Sequence, residues 1–157
     1  MLLRASSLPL FPSVRTQLLV ADQSMHPLFA RADGLSREVI GAAIEVHRTL
    51  GPGLIESVYE RCLLWELGLR KIRAAAQKRV KVVYKDHVFE EDLRLDLLVE
   101  DCLLVEIKAV RDVLPVHKAQ VLSSMKLLDV PLGLIVDFHE LRLVDGLSRL
   151  ILPDRAA

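Results

Sequence analysis

The chain has no surplus of charge of either sign: Lys and Arg total 21, and so do Asp and Glu. A global positive field of the kind that announces nucleic-acid binding is therefore missing, and any such contact must come from a local patch. Cysteine is scarce. Cys62 and Cys102 are the only two, and both lie among aliphatic neighbours. That fits small buried hydrophobes in a reducing compartment far better than a disulfide framework or a zinc site. No apolar run approaches the roughly 18 residues of a membrane helix. The N-terminal MLLRASSLPLFPSVRTQLLVA is interrupted by Arg4, serines and two prolines, so no signal peptide is expected and a cytoplasmic location away from membranes is. Repeats and low-complexity tracts are missing too.

What is present is the composition of one soluble globular domain, 157 residues with 52% hydrophobic and 27% charged content. Residues 1–34 show no sustained period and read as an arm, with Met25 as an alternative start. From Ser36 the pattern turns helical. SREVIGAAIEVHRTL offers Ser36 as N-cap and an apolar face at Val39, Ala43, Val46 and Leu50. GPG at 51–53 ends that helix, and a second is expected from Leu54 to Leu67. Three strand candidates follow, KRVKVVY, VFEEDLRLDLLVE and CLLVEIKAV, most simply an antiparallel meander. Pro115 opens a helix over PVHKAQVLSSMKLLD. VPLGLIVDF reads as a strand buried on both faces, and LRLVDGLSRLIL as a strand followed by a short terminal element. The order α-α-β-β-β-α-β plus a short tail gives an α/β (α+β) domain over 35–152 with a mixed central sheet, and a tail at 153–157.

Charges interrupt the most apolar of these strands. In LLVEIKAV six of eight residues are apolar, yet Glu106 and Lys108 stand two apart and so share one face. Asp96 sits likewise inside LRLDLLVE. Buried unpaired carboxylates cost several kcal/mol, so each must meet a cation, a metal ion or the solvated lip of a cleft. Register decides whether they meet each other. A two-residue turn at Glu100-Asp101 would pair Asp96 with Val105 and separate the acids, whereas a three-residue loop or a bulge brings Asp96 and Glu106 together. The next helix adds a polar stripe at His117, Gln120 and Ser124. Glu56 opens the second helix and shares a face with Tyr59 and Leu63; it reads either as a carboxylate stabilising the helix N-terminus or as an acid turned inward.

These segments carry a resemblance. GLIESVY, then RLDLLVE, LLVEIKAV and VHKAQVL, resembles in order and spacing the GxxExxY protein family, a small branch of the PD-(D/E)XK nuclease superfamily, over about residues 36–150. The resemblance implies a restriction-endonuclease-like core, a mixed sheet flanked by helices. It implies Asp96 and Glu106 as ligands of Mg²⁺ or Mn²⁺, Lys108 as the lysine of the E-x-K pair, Gln120 as the helix glutamine and Glu56 as the acid of the first core helix. Ser124 stands where related exonucleases often have tyrosine. Such a set suits phosphodiester hydrolysis in nucleic acid, DNA ahead of RNA: hard oxygen ligands hold a cation that orients water, and Lys108 stabilises the phosphate or a hydroxide nucleophile.

Other residues have two readings each. His47 lies on the apolar face of the first helix, as a satisfied core histidine first and a site residue second. His117 caps its helix or bonds to the site. From Arg70 to Lys85 there are seven basic residues and no acid. This run is either a solvated face or a phosphate contact through Arg73, Lys78, Arg79 and Lys81. Trp65 and Tyr84 are expected in the core. The competing function is a non-catalytic nuclease-fold module that binds nucleic acid or protein, its charges kept as a structural ion-pair network. A homodimer is compatible with either.

Overall fold

The computed structural model describes residues 25–153, without the side chains of Glu91 and Asp92. Helix α1 spans Phe29–Leu50 and α2 Glu56–Leu69. Strands β1 (Ala74–Tyr84), β2 (His87–Val99) and β3 (Leu103–Lys108) follow, then helix α3 (Pro115–Leu128), β4 (Leu132–Asp137), a 3-10 turn at Leu143–Gly146 and β5 (Leu147–Ile151). None of the described helices is long and apolar enough to cross a membrane.

The first helix begins seven residues before the expected Ser36. Ser36 is buried within it, and its hydroxyl donates back to the Asp33 carbonyl at 2.7 Å instead of capping an end. Asp33-Gly34 mimics a turn, but burial of Ala32 and packing of Phe29 and Leu35 on the core outweigh the roughly 1 kcal/mol that a helical glycine costs. Residues 29–34 therefore belong to α1 and not to an arm, while residues 1–24 lie outside the described residues. Helix α2 buries only Tyr59, Leu63 and Leu67, one stripe at a spacing of four. Trp65 lies off that stripe and is 74% exposed, and Tyr84 is exposed at the β1 end, so neither is a core residue.

The sheet runs β1-β2-β3-β4-β5, antiparallel except for β3 and β4, which are parallel and joined through α3. It is the mixed sheet the sequence implied, with α1 and α2 on one face and α3 on the other. At the C-terminal end the order is reversed from the expectation: the 3-10 turn comes first and β5 then pairs along β4. The turn passes so close to β4 that a Cβ on Gly146 would collide with the Asp137 carbonyl oxygen.

Alternation sorts the strand residues between two cores. Leu97, Val99, Leu103, Val105 and Ile107 join α1 and α2, while Leu98, Leu104 and Ile135 join Val121 and Met125 of α3. The pattern breaks at one place. Ala74 and Ala76 pack with the first core but Val80 with the second, and on β2 Leu97 packs with the first but Leu95 with the second. Between them Gln77 adopts φ +53°, a left-handed conformation rare for a non-glycine residue. The β1–β2 ribbon turns over there, across from Asp96.

Candidate active site at the β2–β3 fork

The loop between β2 and β3 has three residues, Glu100, Asp101 and Cys102, the first two with positive φ. It sets Val99 against Leu103, Leu98 against Leu104 and Leu97 against Val105. One step further Asp96 faces Glu106, so the two acids converge. The backbone ladder ends at this point: the Ile107 N–H donates to the Asp96 carboxylate at 2.8 Å in place of a β2 carbonyl. Asp96 thus wedges open a fork between the two strands. Lys108 donates to Glu106 at 2.9 Å, and the Ala109 N–H just beyond the strand donates to Glu56 at 3.3 Å. Gln120, from α3, lines with Glu106 a cleft of about 380 Å³ whose wall also includes Leu93, Arg94, Val116 and Ser124.

Burial is the first cause that raises the carboxyl pKa values of Asp96 and Glu106. The Ile107 N–H works against it for Asp96 and the Lys108 hydrogen bond for Glu106, while Glu56 raises both and Asp96 adds to Glu106. Burial acts to lower the Lys108 pKa, but the Glu106 hydrogen bond and the fields of Glu106, Glu56 and Asp96 outweigh it, so the ammonium is held protonated. Lys108 is a cation held by Glu106, Glu56 and Asp96, and these acids are stabilised by any further cation that enters.

Sequence reasoning missed four residues here. Glu60 lies one turn beyond Glu56 on α2, and its pKa is raised by burial first and further by Asp96 and Glu56; the i, i+4 spacing was the available signal. Gln77 donates to Glu60 at 2.6 Å and also interacts with Asp96, tying the two acids to β1. Nothing in its surroundings marks it. Arg94, two residues before Asp96, stands in the cleft wall. Asp137, buried at the end of β4 beside Lys108, accepts the N–H groups of Val110 and His139 at 3.1 Å each and shapes the chain as it leaves β3.

The remaining candidates have surroundings of their own. Tyr59 is buried, stacks on Phe138 with centroids 4.3 Å apart, donates to the Gly51 carbonyl and accepts the Leu54 N–H. It clamps the GPG loop from which α2, and with it Glu56, starts. His47 is a satisfied core histidine, bonded to the Glu140 carbonyl at 2.8 Å. His117 accepts the Leu114 N–H at 3.0 Å and so caps α3. In the basic run Arg73 is engaged by Asp101 at 2.9 Å and by Glu100, and Lys81 approaches Glu90 at 3.7 Å. Lys78 and Arg79 are exposed on β1.

Among the described residues no three or more His, Cys, Asp or Glu side chains form a ready-made metal cluster. The donor chemistry nonetheless fits a hard divalent cation, because two facing carboxylates destabilised by burial and by their neighbours prefer an oxygen-seeking ion to protonation near neutral pH. Comparison with known proteins agrees with this geometry. A family model described as the PD-(D/E)XK nuclease superfamily matches residues 33–150. No curated protein and no solved structure gives a significant match.

Proposed function

Because the chain belongs to the PD-(D/E)XK nuclease superfamily, we propose that it hydrolyses phosphodiester bonds of nucleic acid at the β2–β3 fork, with DNA ahead of RNA. The motif GLIESVY supports membership of the GxxExxY branch within that superfamily. The observation that carries the reading is the three-residue loop, which sets Asp96 across from Glu106 with Lys108 bonded to the same carboxylate.

Nucleases of this superfamily generally use divalent metals, and Asp96 and Glu106 are the residues that would hold Mg²⁺ or Mn²⁺. When bound, such an ion orients and acidifies water and neutralises phosphate charge. The protein's own groups do the rest. Lys108, kept protonated by its acidic neighbours, stabilises the negative charge that gathers on the pentacovalent phosphate, and it is not the proton acceptor. Glu56, at the exposed start of α2, accepts or directs the water proton. Gln120 donates from the opposite wall to a phosphate oxygen. The Ile107 N–H fixes the Asp96 carboxylate, so little reorganisation is needed as the reaction proceeds.

The Lys108–Glu106 bond at 2.9 Å also favours a second reading, a structural ion pair in a binding module. Incubating purified protein with labelled single- and double-stranded DNA and RNA, in Mg²⁺, Mn²⁺ or EDTA, separates the two. Metal-dependent cleavage lost in Lys108→Ala and Asp96→Asn supports hydrolysis. Intact substrate under every condition refutes it.

A further inference from the structure

The β1–β2 ribbon continues well beyond the fork, since β3 pairs only with Leu97, Leu98 and Val99 of β2. On the ribbon Arg79 and Arg94 are directly opposed, between the pairs Val80 with Leu93 and Lys78 with Leu95. Side chains at facing positions of an antiparallel pair project to the same side with Cβ atoms about 5 Å apart, and like charges there disfavour the sheet. Both arginines are exposed. Arg94 also lines the cleft with Glu106 and Gln120, and its charge acts on Glu60. Two arginines thus stand opposite each other on the ribbon, one of them in the wall of the cleft.

We propose that the facing pair Arg79 and Arg94 is a clamp for a phosphate of the nucleic-acid backbone, next to the one that enters the fork. Two planar forks on neighbouring strands offer converging N–H donors, which suits the oxygens of a phosphodiester and which ammonium groups reproduce less well. Arg94 is two residues from Asp96, about 7 Å along a strand, so a phosphate held there leaves its neighbour in reach of Asp96 and Glu106. The clamp also gives the ribbon a purpose: it guides the substrate strand along β1 and β2 towards α3. The basic run then divides by role, with Arg79 on phosphate and Arg73 holding the acids of the β2–β3 loop.

This inference rests on the nucleic-acid reading for its ligand, and its test is kept separate from cleavage. Binding of fluorescently labelled single-stranded and duplex oligonucleotides is measured by anisotropy over a range of salt, in EDTA and in Ca²⁺. The proteins are wild type, Arg79→Gln, Arg94→Gln, the double variant, and Arg37→Gln on α1 as a control. Each clamp variant is expected to weaken binding several-fold, and the double variant to reduce the log-log salt slope by about 0.7 for single strands or about 0.9 for duplex, the step for one phosphate contact. The form whose affinity and slope fall in the double variant is the form the clamp holds. Thermal melting of all five proteins shows that each is folded, so that a loss of binding is read on folded protein. Unchanged affinity and slope in the double variant overturn the clamp, as does a wild type that binds neither form. Binding that depends on both arginines in a protein that never cleaves upholds the clamp and refutes the hydrolytic reading alone.

Discussion

Replacing Glu106 by Gln keeps the size of the side chain and an oxygen for Lys108 to bond, and removes one charge. The Lys108–Glu106 contact is 2.9 Å long with side chains 15% and 22% exposed, and a charged hydrogen bond of this kind is worth about 1.5–3 kcal/mol before solvent screening. Two effects oppose its loss. The substitution relieves the burial of a carboxylate and its repulsion with Asp96 and Glu56, and Lys108 keeps the fields of those same two acids. The net cost to folding should therefore be about 1 kcal/mol or less, where a buried pair that serves only as scaffold would lose about 3–5 kcal/mol. Urea unfolding at neutral pH without metal measures this. Mn²⁺ at a hundredfold excess over Kd should then add about 2.7 kcal/mol to the wild type and much less to the variant. A loss above 3 kcal/mol, or an equal gain from Mn²⁺ in both proteins, would refute the argument.

Stability without metal should respond to pH through the same acids. Burial raises the pKa of Asp96, Glu106 and Glu60, so the folded protein retains protons that the unfolded chain releases. Their contribution is full below the ordinary carboxylate range near about 4 and is lost as pH rises through the raised values. The difference in unfolding free energy between wild type and the double variant Asp96→Asn, Glu106→Gln should shift against the wild type over that window; a shift the other way would contradict it. Tyr59→Phe keeps the stack on Phe138 and loses the clamp on Gly51 and Leu54, so a cost of about 1–2 kcal/mol is expected, with Mn²⁺ affinity retained; a variant as stable as wild type would show that the loop is held otherwise. Gly146→Ala drives a Cβ into the Asp137 carbonyl and should cost about 1–3 kcal/mol, seen as a lower melting temperature. An unchanged melting temperature would show that the 3-10 turn moves aside freely.

The order of elements along the chain as far as β4 was legible because periodicity changes sharply at Gly68, Pro115 and Val130. The site was legible only conditionally. Asp96 and Glu106 meet or part according to whether the β2–β3 loop has two or three residues, and the apolar run through Cys102 admits both; burial of Cys102 in the α1–α2 core fixes it as the third loop residue. Glu60 escaped although its i, i+4 spacing from Glu56 was there to read; Gln77 and Arg94 escaped because their positions depend on how the ribbon turns over, and a left-handed glutamine within a strand has no sequence signature. Trp65 was misplaced for the opposite reason: residue type argued for burial, but α2 has one narrow inward stripe and Trp65 is not on it.

The two loops that join β1 to β2 and β2 to β3 should differ in how they tolerate insertion and deletion. At the far end of the ribbon the turn at Lys85-Asp86 joins strands that project past the rest of the sheet, and a residue gained there only lengthens the tip. One residue lost from Glu100-Asp101-Cys102 slips the register by one and sends Asp96 and Glu106 to opposite faces, with every apolar side chain of β2 moved from its core. A library of single-residue insertions and deletions across 84–103, scored for soluble folded protein, should therefore accept changes at the outer turn and reject them at the inner one.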